Sequence, residues 1–579
     1  MTASTIPAVL RERAEQQPDA TAFTYMNYDH DWAGRPETLT WSELYRRTSN
    51  VAQEVRRCAS IGDRAVILAP HGLDYVVAFV GAMQAGLIAV PLTDPQLGAH
   101  DEHVHSVVRD SAPSVILTTR SVADDIAEYA QPYEGRPAPS VIEVDRLHND
   151  STDAFEAGGT DYPELAYLQY TSGSTRAPAA VMVSHNNLRA NYTQIEHAYF
   201  EAYGNVTPPD TTVVSWVPLS HNMGLFIGVC APILVGLHSI LLSPLSFVQR
   251  PARWIELLAG NPRTFSPIPN FAFDLTALAT SDEDLAGVDL GHVLAIVCGG
   301  ERIQTAALNR FTERFAPVNL PDAVVRPSYG LAEATVYVAT RESGHAPKTV
   351  HFDPEELTEG RATRSASGGT ALLSYGVPRS PTVRIVDPET RQECPEGNVG
   401  EIWVHGENVA MGYWHRQDDT ERVFGAAITA PTDGTPASPW LRTGDLGALS
   451  DGELFIMGRI KDLLIVYGRN HYPDDIEATI QQLTGGRAAA IAVPGERTEQ
   501  LVVIIEAAGS TDGLETVKSD VAAAISDAHG LGVADLVVVA SGSLPSTASG
   551  KVRRSVCVDL YQRDQFTRLD AKAGESLEQ

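Results

Sequence analysis

The chain has little positive charge and no paired cysteines. Its 43 Lys and Arg residues stand against 73 Asp and Glu, for a formal net charge of -30. Such a balance repels polyanions at long range, which excludes a nucleic-acid platform or a broadly basic membrane-binding face. Cys58, Cys230, Cys298, Cys394 and Cys557 are odd in number, scattered and without a CxxC pair. This excludes a disulfide framework and fits reduced thiols with no covalent nucleophile among them. No apolar h-region follows Met1, so no secretory signal is read and a cytoplasmic location is expected. The longest apolar stretch, Met223 to Leu242, carries Pro232, His238 and several glycines. It reads as a buried helix followed by a strand, because a span needs about 20 predominantly apolar residues. There is no internal repeat and no low-complexity tract.

What is present describes a folded protein of several packed parts. Hydrophobic residues make up 43% and charged residues 20% of the 579; at ~150 residues per domain that length suggests about four units. From about Asp63, short aliphatic runs alternate with longer amphipathic ones: Ala65-Val-Ile-Leu-Ala, Tyr75 to Ala85, Leu87-Ile-Ala-Val-Pro, Ser114-Val-Ile-Leu and Ser140-Val-Ile-Glu-Val. The rhythm resumes at Thr212-Val-Val-Ser-Trp-Val, Ser239-Ile-Leu-Leu, Val293-Leu-Ala-Ile-Val and Ala323-Val-Val-Arg, with Thr305 to Phe315 helical. This is α/β patterning, and it predicts largely parallel, helix-covered sheets that place ligands at the carboxyl ends of their strands. Residues 341–373 are polar, contain several Gly and Pro, and read as an inserted segment or a long excursion. Beyond them, Thr382-Val-Arg-Ile-Val-Asp and Val399 to Gly406 suggest a small β subdomain. From Lys461 a compact α+β pattern includes the helix Leu514 to His529. The expected division is a large unit, 1–460, and a small unit, 461–579.

One loop stands out. Tyr170-Thr171-Ser172-Gly173-Ser174-Thr175 packs hydroxyls and a glycine behind the strand-like Leu165-Ala-Tyr-Leu-Gln-Tyr. Hydroxyls and backbone N–H groups can surround phosphate oxygens, and glycine permits close approach. The Gly-Lys-Ser/Thr ending of a Walker loop is missing, so a P-loop NTPase is disfavoured. Alone, such a stretch is more often an ordinary solvated loop. Four further clusters follow in order: Cys298-Gly-Gly-Glu-Arg302, Ser328-Tyr-Gly-Leu-Ala-Glu-Ala-Thr335, Leu441-Arg-Thr-Gly-Asp-Leu446 with Gly458-Arg-Ile-Lys-Asp462, and Ser546-Thr-Ala-Ser-Gly-Lys551.

Together the five resemble the adenylate-forming enzymes, the superfamily of acyl-CoA synthetases, luciferases and peptide-synthetase adenylation domains, over nearly the whole chain. The resemblance implies ATP and Mg²⁺ as cofactors. It assigns Lys551 to the approaching carboxylate and α-phosphate, His221 to the acyl-phosphate site, and Glu333 to the metal. It assigns the nucleotide to Thr171, Ser172, Gly173, Ser174 and Thr175, to Gly300 and Glu301, to Ser328, Tyr329 and Gly330, and to Asp445 and Arg459 at the ribose. Lys461 is implied as the hinge between the units. Each has a plainer reading: Lys551-Val-Arg-Arg as a solvated basic run, Glu333 at a helix start, Thr443-Gly-Asp as a turn, His221 as a core histidine.

Gly468-Arg-Asn-His-Tyr-Pro-Asp-Asp-Ile-Glu477 and the insertion at 341–373 resemble the fatty acyl-AMP ligases, closest to the mycobacterial type that loads polyketide synthases. That branch implies a long-chain fatty acid as substrate, an acyl carrier domain of a polyketide synthase as partner, and discrimination against coenzyme A. An acyl-CoA ligase and a non-catalytic adenylate-binding protein are the competing readings. Two departures stand out: Arg176-Ala-Pro-Ala-Ala180 lacks the usual lysine of the opening loop, and Ser220-His-Asn-Met-Gly-Leu225 lacks the usual aromatic and carboxylate around the histidine. An acyl pocket is expected from Met223, Gly224, Phe226, Ile268 and Phe271, where each buried CH₂ would contribute ~0.8 kcal/mol. His100-Asp-Glu-His103-Val-His105 lacks the i, i+4 spacing of zinc helices and reads as a solvated helix start.

Overall fold

The computed structural model describes residues 5–93, 102–147, 162–171, 179–366, 368–466, 469–495, 499–507, 513–546 and 551–570. Two large sheets share one core. The first has eight strands in the spatial order Ala339–Thr340, Val325–Tyr329, Ala295–Cys298, Thr264–Ile268, Thr212–Ser215, His238–Leu242, Thr21–Asn27 and Arg35–Thr40. Its inner pairings are all parallel and the two edge strands are antiparallel. The second runs Ser140–Glu143, Val115–Thr118, Arg64–Ile67, Ile88–Pro91, Leu165–Thr171 and Ala179–Ser184, parallel except for the last pair. Near-continuous Val/Ile/Leu runs suit such strands because both faces are covered by helices.

Local chemistry sets the helix ends. Trp41–Val55 begins in a capping box in which Thr40 and Glu43 satisfy each other's backbone N–H groups. His185–Tyr199 uses Ser184 and Asn187 in the same way. The strands Thr21–Asn27 and Arg35–Thr40 carry no clear periodic signal, because the second is an edge strand with four exposed residues at its start. The α/β rhythm therefore starts earlier than Asp63, where the sequence shows it. Between Met223 and Leu242 the helical stretch is interrupted by a π turn at Phe226–Cys230, with the strand His238–Leu242 behind it.

A four-stranded antiparallel sheet follows: Thr382–Val386, Gly400–His405, Leu441–Ser450 and Glu453–Arg459. After the turn Ile460–Asp462 come a short hairpin and a three-stranded sheet of Ala488–Pro494, Glu499–Ala507 and Val533–Ala540. The helices Pro473–Thr484, Leu514–His529 and Arg554–Gln562 flank that sheet, and the cores on its two faces draw only on residues 464–569. No described helix is long and apolar enough to cross a membrane.

The polar stretch 341–373 is ordered by its neighbours rather than by its own periodicity. Thr349–Phe352 pairs antiparallel with Thr370–Leu373, and the helix Pro354–Thr358 lies between them. Lys348 Nζ pairs with Glu453 at 2.6 Å and Arg364 with Asp451 at 2.7 Å. The Phe352 ring meets Phe455 edge-on at 4.9 Å, and Leu357, Met457 and Tyr472 complete the same cluster, with Ile460 and Leu463 packed against it. The stretch thus grips the four-stranded sheet and the first residues beyond the turn at 460–462. Strands of four residues are too short to show a period, which is why the sequence shows only polarity and glycine there.

Candidate active site

The site is assembled at strand ends. Ala295–Cys298 and Val325–Tyr329 are parallel neighbours, so the residues that follow them, Gly299–Glu301 and Gly330, emerge side by side at the carboxyl edge of the larger sheet. Gly300 has φ +88°, a left-handed conformation that favours glycine. At Gly330 the constraint is space: a Cβ would lie 1.6 Å from the carbonyl oxygen of Val336. At Gly330 the backbone is held where no side chain fits.

One cavity of about 80 Å³ opens there, and His221, Met223, Phe271, Gly300, Glu301 and Lys551 all line it. The ammonium comes from the far end of the chain, while the imidazole and the carboxylate come from the sheet edge. His221 caps the short helix Asn222–Leu225, its Nδ1 accepting from the Met223 N–H at 3.3 Å. Burial, helped by the nearby Lys551 charge, pushes the imidazole down to about 4. The ring is neutral at pH 7 and, with Nδ1 accepting, carries its proton on Nε2. Burial also lowers the pKa of Lys551, Arg459 lowering it further while Asp474 and Asp445 oppose. Burial raises that of Glu301, against the pull of Lys551, and its Oε1 is buried without a hydrogen-bond partner. The apolar end adds Trp216, whose ring stacks on Phe247 at 3.7 Å and meets Phe271 edge-on at 6.0 Å.

A second cluster adjoins this one. Asp445 and Arg459 are cross-strand partners, Arg459 Nε pairing with Asp445 Oδ1 at 3.0 Å. The Tyr329 hydroxyl donates to Asp445 Oδ2 at 2.8 Å. Burial and then Asp445 raise the Tyr329 pKa well above its ordinary value, so the hydroxyl stays a donor. Glu333 sits in the turn Ala332–Ala334, and the Tyr413 hydroxyl donates to its Oε1 at 2.8 Å. Met411 and Trp414 bond across to Met182 and Ala180 on the strand that follows the hydroxyl-rich loop. This brings Glu333 next to that loop's exit.

Other expected positions fall elsewhere or beyond view. Thr171 ends its strand with its hydroxyl donating to Ala179 O at 3.5 Å, while Ser172, Gly173, Ser174 and Thr175 lie outside the described residues. The Ser328 hydroxyl is buried against Tyr199 and donates to Arg326 O at 3.1 Å. Phe226 and Ile268 are fully buried in the two cores of the larger sheet, and Gly224 is buried behind Met223; of the five acyl-pocket positions, Met223 and Phe271 line the cavity. Lys461 lies in the turn Ile460–Asp462 with its pKa lowered, first by burial and then by Arg459. His105 faces Glu128 at 3.4 Å and packs on Tyr129. Burial pushes four thiols up, those of Cys230 and Cys298 as well as Cys394 to about 11 and Cys557 to about 12, so these four stay protonated at neutral pH. Of the two departures, residues 176–178 of the first lie outside the described residues; in the second, Ser220 ties to Thr93 at 2.7 Å and Asn222 donates to Thr335 O at 3.4 Å. Sequence reasoning missed Trp216 as a lining residue and Tyr413 as the partner of Glu333, since each acts through a neighbour distant in the chain.

Comparison with known proteins shows the family. Residues 10–414 match the AMP-binding enzyme family, and residues 461–570 match the Disco-interacting protein 2-like AMP domain. The long-chain-fatty-acid–AMP ligase FadD28 of Mycobacterium tuberculosis is 57% identical over 99% of this chain and 100% of its own length. A putative fatty-acid–CoA ligase of the same organism, fadD25, is also 57% identical, over 98% and 99%. Among solved structures, a fatty acid AMP ligase from Legionella pneumophila aligns with TM-score 0.73 and 30% identity over 98% of this chain and 97% of that one. A fatty acyl-adenylate ligase of the same bacterium, in complex with acyl adenylate and pyrophosphate, aligns with TM-score 0.72 and 30% identity over 98% and 99%. With a cavity bordered by paired strand ends and lined by Lys551, and with relatives matched end to end, the chain belongs to the AMP-binding enzyme family, in the group that holds the fatty-acid–AMP ligases.

Proposed function

We propose that this enzyme activates a long-chain fatty acid with ATP and hands the acyl group to the phosphopantetheine thiol of an acyl carrier domain of a polyketide synthase. In the first step a carboxylate oxygen bonds to the α-phosphorus. The bond from that phosphorus to the bridging oxygen breaks, and pyrophosphate leaves with the electron pair. In the second step the thiol sulfur bonds to the carbonyl carbon and gives up its proton to solvent, while the bond from that carbon to the phosphate oxygen breaks and AMP leaves with the electron pair. The observation that carries the reading is Lys551 lining one cavity with His221 and the Gly299–Glu301 turn, with Trp216 and Phe271 at the apolar end. Two anions must meet there, and a preorganised ammonium in a dry site opposes their repulsion most effectively. A neutral His221 donates a hydrogen bond to a phosphate or carboxylate oxygen without competing for a proton. Asp445, aligned by Arg459 and Tyr329, offers short acceptors for ribose hydroxyls. Lys461, in the turn between the parts, serves as the hinge for the second step.

Glu333 would hold Mg²⁺ as a hard carboxylate ligand, its side chain steadied by the Tyr413 hydroxyl on Oε1. When bound, the ion would neutralise phosphate charge. Tyr413→Phe should raise the Mg²⁺ concentration for half-maximal adenylation about 10-fold, as loss of an outer-shell partner does, with kcat at saturating Mg²⁺ little changed; an unchanged Mg²⁺ requirement would count against Glu333 as the ligand.

The lowered pKa of Lys551 has a definite sign. The ammonium is required, so activity falls as pH rises through a value below the lysine's ordinary 10.5. Bound phosphates favour the charged form and move the value back up. The alkaline limb of kcat/KM should therefore lie at lower pH than that of kcat; coincident limbs would contradict the assignment.

Incubation with ATP, Mg²⁺, laurate or palmitate, and free coenzyme A tests the acceptor. Acyl-adenylate without appreciable acyl-CoA, and acyl loading of a phosphopantetheinylated carrier domain, are expected. Efficient acyl-CoA formation would favour an acyl-CoA ligase, and no pyrophosphate from any chain length a non-catalytic protein.

A further inference from the structure

The stretch that borders the cavity also grips the small unit. Arg302, next to Glu301, pairs through its guanidinium with Asp475 Oδ1 at 2.5 Å, the two side chains being 21% and 18% exposed. Two residues on, Gln304 Nε2 donates to Gln481 Oε1 at 2.7 Å, and its backbone N–H is fixed by Asn270 Oδ1 at 2.9 Å. Asp475 and Gln481 lie on the helix Pro473–Thr484, the first helix beyond the turn at 460–462.

That helix also holds the segment bearing Lys551. The Arg554 guanidinium, three residues after the lysine, is clamped by Glu477 at 2.6 and 2.7 Å, by Asp474 at 2.5 Å, and by Asp462 of the turn at 3.3 Å. A continuous path of ion pairs and hydrogen bonds therefore runs from the cavity rim through Arg302 and Asp475 into the helix, and through Asp474 and Glu477 back to the residues beside Lys551. Asp474 and Glu477 keep their partner whatever the orientation of the small unit, because Arg554 moves with them. Asp475 and Gln481 do not, because their partners belong to the large unit.

We propose that the Arg302–Asp475 pair, seconded by Gln304–Gln481, is a latch that fixes the small unit in the orientation that puts Lys551 in the cavity, and so positions the ammonium for adenylation. The proposal rests on the reading of a small unit that swings about Lys461. Arg302 and Asp475 are positioning residues: Lys551 is correctly placed only while they hold. Rotation for acyl transfer must break both contacts, so the latch favours the first step over the second.

Asp475→Asn removes the charge while keeping shape. It should slow pyrophosphate release with laurate and ATP about tenfold. Transfer from preformed lauroyl-adenylate to a phosphopantetheinylated carrier domain should be unchanged or faster, and Asp475→Glu should recover most of the adenylation. An orientation readout needs no turnover: a dye pair on the exposed Cys58 and on Leu483→Cys, at the exposed end of the helix, should give one dominant distance with Asp475 present and a second population with Asp475→Asn. Equal loss of both half-reactions without recovery by Glu, or unchanged adenylation with an unchanged distance distribution, would overturn the latch. Absence of pyrophosphate release from the unaltered enzyme would instead strike the functional reading and leave the distance measurement to decide the latch.

Discussion

Lys551→Ala should slow acyl-adenylate formation by roughly 10²–10³-fold, the scale on which one preorganised charge-stabilising donor acts. The loss should appear in kcat, because the ammonium matters most where charge develops on the α-phosphoryl group, while the KM for ATP changes little. If the small unit swings about Lys461 as proposed, transfer from preformed acyl-adenylate should survive, because Lys551 then leaves the cavity before the thiol attacks. The chain makes the assignment testable in a second way. Its lysines stand only at 348, 461, 518, 551 and 572. Lys348 is paired with Glu453 and Lys518 with Asp570. Lys461 sits in the turn at 460–462, and among the described residues Lys551 is the only lysine that lines the cavity. Unchanged adenylation in the Ala variant would remove the ammonium from the mechanism.

Gly330→Ala should be nearly as severe for a different reason. A methyl group there would sit 1.6 Å from Val336 O, 2.7 Å from Val336 C and 3.3 Å from the Cα of Tyr337, all backbone atoms that cannot rotate aside. The two segments must separate by an ångström or more. This drags Tyr329, whose hydroxyl orients Asp445, and the turn Ala332–Ala334 that carries Glu333. A displacement of ~1 Å costs on the order of 10²-fold in rate. Overpacking and backbone shift cost about 1–3 kcal/mol of stability. Adenylation and the melting temperature should fall together, with the KM for ATP rising because Asp445, the proposed ribose partner, loses alignment. A variant with unaltered rate and stability would mean that the close approach at this corner has no bearing on the site.

The parts legible in the sequence were those whose signal is local. Parallel-sheet rhythm showed because fully covered strands are runs of Val, Ile and Leu. The helices Thr305–Phe315 and Leu514–His529 stand where amphipathic spacing places them. The edge strand Arg35–Thr40 and the ribbon at 349–373 were illegible because their order comes from partners: Thr24 and Tyr25 for the first, Phe455 and Glu453 for the second. The same division holds for the site. Motif residues announce themselves by type and spacing, but the side chains that aim them do not. Tyr413 reaches Glu333 across 80 residues and Tyr329 reaches Asp445 across 116. Trp216 reads as one more apolar residue of a buried strand until Phe247 and Phe271 are seen to seat it at the cavity.

In the proposed function the acyl chain lies at the apolar end of the cavity, lined by Trp216, Met223, Val248 and Phe271, all from short elements at the rim of the larger sheet. Val248 and Phe271 remain 50% and 36% exposed, so the cavity's apolar lining continues to the surface beside the helix Pro244–Gln249. A long substrate therefore has an apolar path away from the reacting carboxylate.

Isotope transfer puts the central claim to its most direct test. A fatty acid labelled with ¹⁸O in its carboxylate, incubated with ATP, Mg²⁺ and a phosphopantetheinylated carrier domain, should deliver one labelled oxygen into the phosphate of AMP, because that oxygen bridges carbonyl carbon and α-phosphorus before the thiol attacks. Label in inorganic phosphate with ADP as co-product, or AMP carrying no label, would contradict an acyl-adenylate formed in this cavity.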